Sequence, residues 1–463
     1  MRSKAIRRLL VANRGEIAVR IVGACREEGL DAIVAASDAD TESLAARMAT
    51  DVVHIGGSSP TQSYLRVEQI VAGALLAGCD AVHPGYGFLS ERAELAEACA
   101  AHGLIFVGPS PATLRRGGDK VEARRLARAA GVPTGSGSDA VRYADTALGV
   151  AARIGYPVLL KAAAGGGGRG MVRIDDPREL RERFRTASRE AGAAFGDGRL
   201  YVERFVEHAR HVEVQLLGDA DGSVVHLGTR DCSTQRRFQK LVEEAPATVL
   251  TPDLHQRITD AAVALGRALD YRGAGTVEFL VDLDRSDFVF LEVNTRLQVE
   301  HPVTEMVTGV DIVREQLRIA GGEPIGFTQD DVATAGHAIE CRINAESVAA
   351  GFLPSPGTIA RWEPPVGVGI RVDGHGFAGY DMPPHYDSLL AKLIVAGPDR
   401  AAAIDRSLRA LDDFVIEGID TTIELHRTVL AHADFWHDAI TTRWLETTLL
   451  PEQSPIRQEP IHG

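Results

Sequence analysis

The first hundred residues alternate short apolar runs with longer stretches of helical periodicity. Strands are predicted at residues 8–12, 32–36, 81–82 and 105–107, with helices between them, beginning at 17–28. This β-α-β rhythm predicts a parallel sheet covered by helices. The first strand-to-helix turn, residues 13–16, lacks the G-x-G-x-x-G pattern of dinucleotide sites, so a nicotinamide enzyme is not expected.

The remaining chain changes character three times. A basic helix at 119–130 precedes a compact α+β stretch at 136–203, and strand-like alternation follows from about residue 204. A proline-rich region of short strands begins near 336 and ends in a helix at about 400–414. At about 150 residues per domain, 463 residues suggest three domains, which we place at 1–115, 116–335 and 336–450.

A glycine-rich loop interrupts the second region. An apolar run ends at Lys161, and the loop that follows contains Gly165, Gly166, Gly167 and Gly168 before a second strand at 171–174. Adjacent glycines lose much entropy on ordering, but their bare N–H groups can surround phosphate oxygens while Lys161 supplies a charge. No G-K-[ST] follows, so the loop is not a Walker A motif. A flexible surface hairpin is the alternative interpretation.

Residues 291–300 form the sharpest local pattern. Polar residues occupy every second position: Glu292, Asn294, Arg296, Gln298 and Glu300. An extended chain would place them in one row, and Glu278 would join Glu292 and Asn294 if the two strands pair through the turn at 282–287. Two carboxylates and an amide oxygen suit Mg²⁺ shared with phosphates. Arg296 would clamp an anion and Glu300 would act as a general base, unless the row is the solvated face of an edge strand.

Four further stretches carry candidate chemistry with open alternatives. Residues 230–240 contain four cations, including Lys240, which favours a small-anion pocket over a nucleic-acid site or a solvated loop. His211 and Arg342 alternate with strand residues; His211 taken alone favours a hydrogen-bonded structural histidine, and Arg342 is equally consistent with a structural ion pair. Residues 83–91, which include Tyr86, follow a parallel strand where α/β sheets place ligands, but they are also consistent with a tight turn.

Composition narrows the class of protein. The formal net charge of −14 disfavours a general nucleic-acid-binding surface, and no apolar run approaches the ~20 residues of a membrane span. The five cysteines are scattered without a C-x-x-C pair, so we expect neither disulfides nor a zinc site, and a cytoplasmic location.

Together these stretches resemble the biotin carboxylase family of ATP-grasp enzymes. The similarity runs collinearly from about residue 5 to 445. It is carried by residues 12–18, 83–91, 165–171, 230–233, 243–246, 292–309 and 340–346. The resemblance implies an α/β and α+β fold made of a Rossmann-like pre-ATP-grasp domain, an ATP-grasp domain with a mobile lid at about 136–203, and a biotin carboxylase C-terminal domain.

The resemblance also implies an activity, namely carboxylation of biotin on a separate biotin carboxyl carrier protein, using ATP, bicarbonate and Mg²⁺ or Mn²⁺. ATP would be held by Lys120, Lys161, Gly165–Gly168, Glu203, His211, Glu278 and Glu292. Metal would be bound by Glu278, Glu292 and Asn294. Bicarbonate would be held by Lys240, Arg296, Gln298 and the backbone at Val299. Glu300 would deprotonate bicarbonate to give carboxyphosphate, Arg342 would stabilise the biotin enolate, and Tyr86 would lie near the biotin ring.

The expected partners are the carrier and a carboxyltransferase subunit, with acetyl-CoA/acyl-CoA carboxylase, hence fatty acid biosynthesis, as the expected parent enzyme. Propionyl-CoA, pyruvate and other carboxylases use similar chains. Another ATP-grasp ligase acting on a small nitrogen nucleophile is the alternative, whereas a silent ATP-binding subunit is disfavoured because the metal ligands and base are present. Four departures from the family stand out: Gly23 for an arginine of the common dimer interface, Ala164 for a loop glycine, Phe238 for a histidine near the nucleotide, and His385 for a tyrosine. Gly23 weakens the case for a homodimer.

Overall fold

The computed structural model describes residues 6–135, 137–163 and 171–450. The glycine-rich loop, with Gly165–Gly168 and Ala164, lies outside the described residues. The predicted α/β and α+β class is confirmed. No described helix has the length and apolarity needed to cross a membrane. All five cysteines are buried and none forms a disulfide.

The N-terminal region is a parallel sheet, as predicted, and it has five strands in the order β3-β2-β1-β4-β5. Its strands are β1 Arg8–Val11, β2 Asp31–Ala36, β3 Asp51–His54, β4 Ala81–His83 and β5 Ile105–Phe106, and its helices are α1 Gly15–Glu27, α2 Leu44–Met48, α3 Val67–Leu76, α4 Ala93–Ala101 and α5 Pro111–Gly118. The apolar pattern did not predict β3, because this edge strand buries only Val53.

A small α+β unit follows helix α6, Lys120–Ala129, whose N-cap Asp119 accepts backbone hydrogen bonds. The unit comprises α7 Ala144–Ile154, β6 Val158–Ala162, β7 Met171–Ile174, α8 Pro177–Phe195 and β8 Leu200–Arg204. Its antiparallel sheet has the order β7-β6-β8 and packs on α7 and α8 around a core of its own. The strands that flank the glycine-rich loop therefore occur where the sequence predicts them.

An antiparallel eight-stranded sheet forms the centre of the molecule, in the order β13-β12-β9-β10-β11-β14-β21-β19. Its first part comprises β9 Ala209–Gly218, β10 Val224–Arg236, β11 Gln239–Ala245, α9 Pro252–Ala268, β12 Gly273–Asp282, β13 Asp287–Asn294, α10 His301–Thr308 and α11 Ile312–Ala320. Strand β14, His337–Asn344, pairs with β11. The sheet therefore continues across residue 335, where the sequence suggests a domain boundary.

The C-terminal region completes this sheet and covers it with helices. Its elements are β15 Glu346–Ser347, β16 Leu353–Pro354, β17 Gly357–Thr358, β18 Arg361–Glu363, β19 Ile370–Gly374, β20 Asp381–Met382, β21 Leu389–Gly397, α12 Arg400–Asp413, β22 Val415–Glu417, α13 Ile423–Ala431 and α14 Ala433–Trp436. Helix α12 packs on β21 and β14 over a second large core. The predicted helix at 400–414 is thus confirmed to within one residue.

The β12–β13 hairpin agrees with the sequence only in part. Glu278 lies directly opposite Glu292, and Thr276 opposite Asn294, as the pairing through the 282–287 turn predicts. The predicted extended row to residue 300 is wrong, because β13 ends at Asn294. Leu297 is fully buried, and the chain turns at Glu300, the N-cap of α10, whose first turn contains Pro302. Arg296, Gln298 and Glu300 therefore project from a loop.

Candidate active site

Lys240 is the centre of a buried charge cluster on the large sheet. Its Nζ lies 2.7 Å from Glu213 Oε2, 3.0 Å from Glu278 Oε1 and 2.6 Å from Glu300 Oε1. The carboxylates raise the pKa of Lys240 well above its ordinary value despite its burial. A charged ammonium therefore joins three carboxylates that come from β9, β12 and the loop after β13.

Glu213 and Arg230 support this cluster, and the sequence did not single them out as a pair. Both are fully buried. Arg230 Nε donates to Glu213 Oε1, and its Nη1 donates to Gln215 at 2.8 Å and Thr304 at 2.9 Å. Glu213 alternates with His211 and Gln215 along β9, and this row of polar residues between apolar ones is a sequence signal that could have found it.

Glu300 and Arg342 form the second part of the cluster. Arg342 Nη2 lies 2.9 Å from Glu300 Oε2, and Arg342 Nε donates to Glu243 Oε1 at 2.5 Å. Burial favours the neutral acid, but Lys240 and Arg342 together hold the pKa of Glu300 well below its usual range. Burial raises the pKa of Glu243 to about 7, against the opposing charge of Arg342. Arg342 thus forms a buried ion pair with Glu243, as a structural residue would, and also contacts Glu300, the predicted base.

The predicted metal ligands lie side by side on the β12–β13 hairpin. Asn294 Nδ2 donates to Glu278 Oε1 at 2.9 Å, and His211 Nε2 contacts Glu278 Oε2 at 2.9 Å. The Glu292 side chain is 38% exposed and lies 3.4 Å from Lys120. Two carboxylates in cross-strand register beside an amide oxygen are hard ligands, and Glu292 opens outward, so these residues fit a Mg²⁺ site.

Among the described residues, two other groups could also hold a metal ion: His211–Glu213–Glu278 and Glu213–Cys232–Glu300. Within each group, the possible ligand atoms all lie within 4.8 Å of one another. Each contains carboxylates already paired with Lys240 or Arg230. Glu278 is likewise paired with Lys240, but the Glu292 side chain is 38% exposed, so the Glu278–Glu292–Asn294 set is open to a ligand and is the better candidate metal centre.

Arg296 and Gln298 border the cluster from the loop. Arg296 Nη1 donates to Gln298 Oε1 at 3.0 Å, and its Nη2 donates to Asn294 Oδ1 at 3.1 Å. Gln298 Nε2 donates to Glu278 Oε1 at 3.1 Å. Arg296 Nε also lies 3.1 Å from Glu91. Glu91 belongs to the 83–91 stretch, but the sequence did not predict it as a site residue.

Lys161 and Glu203 lie apart from the central cluster, on the small unit. Lys161 Nζ contacts Glu203 Oε2 at 2.7 Å, and Arg124 pairs with the other Glu203 oxygen. Desolvation would raise the pKa of Glu203, but the two cations lower it to about 2. Lys120 begins α6 and faces Glu292 across the interval between the small unit and the hairpin. The residues predicted to bind ATP therefore lie on two parts of the molecule. Lys161 and Glu203 belong to the small unit, and Lys120 lies beside the β12–β13 hairpin.

Tyr86 reaches the site from the N-terminal sheet. Its hydroxyl donates to Glu16 Oε1, and the same oxygen lies 3.1 Å from the Nζ of Lys392, which is fully buried. Lys392 also donates to the Val299 carbonyl at 2.9 Å. Neither Glu16 nor Lys392 was expected at the site, although a lysine in the apolar β21 sequence is a signal that could have found it.

Three departures from the family lie within the described residues. Phe238 is 55% exposed at the tip of the β10–β11 hairpin, with a left-handed φ of 65°. His385 packs edge-on against Tyr386. A side chain added at Gly23 would meet no described atom within 4 Å, so the surface there is open. None of the three replaces a member of the Lys240 cluster.

Three family models together match most of the chain. The biotin carboxylase N-terminal domain matches residues 5–114, the carbamoyl-phosphate synthase L chain ATP-binding domain matches 119–327, and the biotin carboxylase C-terminal domain matches 340–447. The chain belongs to the biotin carboxylase family. As a biotin carboxylase it is an ATP-dependent ligase that carboxylates biotin.

Relatives cover the biotin carboxylase chain almost end to end. It is 50% identical to a biotin carboxylase of a Nostoc species over 95% of this chain and 98% of the relative. It is 46% identical to a pyruvate carboxylase subunit of Methanothermobacter thermautotrophicus over 95% and 89%. It superimposes with a TM-score of 0.91 and 45% identity on the biotin carboxylase domain dimer of Hydrogenobacter thermophilus 2-oxoglutarate carboxylase, solved with MgADP, ADP and bicarbonate, covering 96% and 98%.

Proposed function

We propose that this biotin carboxylase carboxylates biotin on a separate carrier protein, with ATP and bicarbonate, through carboxyphosphate. The observation that carries the proposal is the Lys240–Glu300–Arg342 chain of contacts at 2.6 and 2.9 Å, which places a base between two cations. The bicarbonate bound to the Hydrogenobacter structure supports the choice of anion. An ATP-grasp ligase for another small nitrogen nucleophile is the alternative.

ATP would lie between the small unit, which would act as a lid, and the large sheet. It would be held by Lys120, Lys161, the Gly165–Gly168 loop, Glu203 and His211. Glu278, Glu292 and Asn294 would hold Mg²⁺ or Mn²⁺, which neutralises phosphate charge when bound. Because Lys161 is paired with Glu203, phosphate would compete with that carboxylate for the ammonium. We propose the family boundaries 1–115, 116–335 and 336–450 for the three domains.

Bicarbonate would be held by Lys240, Arg296, Gln298 and the Val299 backbone, and Glu300 would remove its proton. Because Lys240 and Arg342 lower the pKa of Glu300, this carboxylate is ionised and ready to accept a proton. When the bicarbonate anion attracts Lys240, less positive charge acts on Glu300, the pKa of Glu300 increases, and Glu300 becomes a stronger base.

The deprotonated bicarbonate would then attack the γ-phosphate to form carboxyphosphate and ADP. Carboxyphosphate splits into CO₂ and phosphate, and phosphate takes the N1′ proton of biotin. The resulting enolate-like biotin would be stabilised by Arg342, with Tyr86 beside the ring, and its N1′ attacks CO₂. Positioning and charge neutralisation supply the catalysis.

The partners proposed are a biotin carboxyl carrier protein and a carboxyltransferase, with acetyl-CoA or another acyl-CoA as the final acceptor. Relatives include chains of a pyruvate carboxylase and of a 2-oxoglutarate carboxylase, so the acceptor is the open part of the proposal. A homodimer is proposed because the Hydrogenobacter domain is a dimer. Gly23, which stands in place of an interface arginine common in the family, is the feature that argues against it. We propose a cytoplasmic location, which rests on the cysteine usage.

The test is ATP hydrolysis by the purified chain with and without bicarbonate, and then with free biotin. We expect hydrolysis that requires bicarbonate and increases with biotin, together with transfer of labelled bicarbonate to an isolated biotinylated carrier domain. Bicarbonate-dependent hydrolysis without stimulation by biotin, and without carrier labelling, would favour the alternative ligase.

A further inference from the structure

Two side chains hold successive carbonyl groups of the loop between β13 and α10. His301 Nδ1 lies 2.8 Å from the Gln298 carbonyl oxygen, and Lys392 Nζ lies 2.9 Å from the Val299 carbonyl oxygen. The backbone N–H of His301 makes only a longer bond, 3.4 Å, to the same Gln298 oxygen. The side chains are therefore the principal donors to this turn.

The state of the His301 ring follows from its surroundings. A carbonyl oxygen can only accept, so Nδ1 must carry the proton and Nε2 is left as an acceptor. The ring is fully buried, and burial, with the nearby charges of Lys392, Arg20 and Arg371, holds the pKa of His301 well below its ordinary value. His301 is thus a neutral donor with one fixed tautomer.

These bonds determine which way the peptide N–H groups point. A trans peptide unit directs its C=O and N–H in opposite directions, and the Gln298 carbonyl belongs to the same unit as the Val299 N–H. Fixing the Gln298 oxygen against His301 therefore turns the Val299 N–H away from His301. No described residue accepts a hydrogen bond from that N–H. It is available to a ligand.

We propose that His301 and Lys392 are positioning residues that aim the Val299 N–H at bicarbonate and fix the following peptide unit, which leads to Glu300. The proposal rests on the proposed function, in which the Val299 backbone holds bicarbonate. Lys392 also contacts Glu16, which binds Tyr86, so the same ammonium fixes the N-terminal region against the loop. Neither side chain touches a reacting atom.

The test uses a matched pair of variants at residue 301. In His301→Asn the amide nitrogen is as many bonds from Cα as Nδ1 and can still donate, whereas His301→Leu has similar size and no donor. We expect the KM for bicarbonate to rise about tenfold in His301→Leu and to remain within about threefold of wild type in His301→Asn, because a misaimed donor weakens binding of the anion. The KM for ATP should stay within about twofold in both.

His337→Leu is the control for loss of a buried histidine, since His337 bonds to Glu244 in another part of the sheet. It should lower the melting temperature and leave both KM values unchanged. An unchanged bicarbonate KM in His301→Leu, a parallel rise of both KM values, or no recovery by asparagine would overturn the proposal.

If His301→Leu yields no folded protein, Lys392→Met with Glu16→Gln, which replaces the buried ion pair by a neutral pair, is judged by the same KM split. Wild-type protein whose ATP hydrolysis ignores bicarbonate would contradict the proposed function itself, and the positioning role with it.

Discussion

Glu244 offers the clearest quantitative test of the charge networks that join the two halves of the large sheet. It lies on β11 and accepts from Arg400 Nε at 2.7 Å, Arg400 Nη2 at 3.0 Å and His337 Nε2 at 2.9 Å. Arg400 is the first residue of α12, and its Nη1 also donates to the Trp436 carbonyl at 3.1 Å. Glu244 therefore connects the sheet to the C-terminal helices.

The expected magnitude follows from the pKa. Burial would raise the pKa of Glu244, but hydrogen bonds from His337 and Arg400 lower it from 4.5 to about 2. A group with a depressed folded-state pKa adds stability above its unfolded pKa and loses it as the pH falls through the folded value. At 1.36 kcal/mol per pKa unit, the contribution at pH 7 is roughly 3 kcal/mol, of which more than half is lost by about pH 3.

The assay is urea unfolding of wild type and Glu244→Gln at pH 7, 5, 4 and 3, followed by tryptophan fluorescence. All three tryptophans, at positions 362, 436 and 444, lie in the C-terminal region. We expect Glu244→Gln to cost roughly 3 kcal/mol at pH 7 and to approach wild type by about pH 3. Glu363→Gln, which removes an exposed partner of Arg361, should behave like wild type at every pH. A difference between Glu244→Gln and wild type that stays constant with pH would refute the reasoning.

Three further predictions concern the active site. Glu300→Gln should abolish bicarbonate-dependent turnover while ATP still binds by calorimetry, because the amide cannot accept the proton; full turnover would reject the role of base. Lys240→Met should lower the free energy of unfolding, measured with urea, by about 3–5 kcal/mol, because three buried carboxylates lose their cation. Lys120→Met, which removes a half-exposed ion pair, should lower it by less than about 1 kcal/mol. Equal losses in the two variants would contradict this prediction. Phe238→His should lower the KM for ATP at unchanged kcat, because histidine adds a polar contact and tolerates the left-handed backbone; an unchanged KM would make Phe238 neutral.

What the sequence predicted well depends on nearby residues. The pairing of Glu278 with Glu292 needs only two strands and a short turn, so alternation was enough to place the carboxylates together. The same reasoning failed after Asn294, because alternating polarity in residues 295–300 comes from a loop that buries Leu297 beneath it. Periodicity predicts which residues share an environment, and it does not distinguish a strand from a loop packed on one side.

What the sequence missed depends on the order and curvature of strands. Lys240 on β11 and Glu278 on β12 are separated by β10 and β9 in the sheet, yet their charged atoms are 3.0 Å apart. Adjacent strands are about 4.8 Å apart, so in a flat sheet two strands that are three places apart would be too far from each other for these side chains to touch. Register shifts interrupt β10 against both of its neighbours, and such bulges increase the local bend and twist of a sheet. Glu213 on β9, one of the two strands between them, is therefore a natural third member of the cluster.

Each buried acid and cation of this site has its partner on a different part of the chain. Glu300 comes from a loop, Lys240 from β11 and Arg342 from β14, and each neutralises charge that the others would leave uncompensated in a buried place. Such a cluster costs desolvation energy that an apolar core would not, so its presence is better explained by chemistry than by stability. A substrate anion that enters the cluster would meet cations that are already desolvated and oriented. Those cations would need only to exchange a carboxylate partner for the substrate anion.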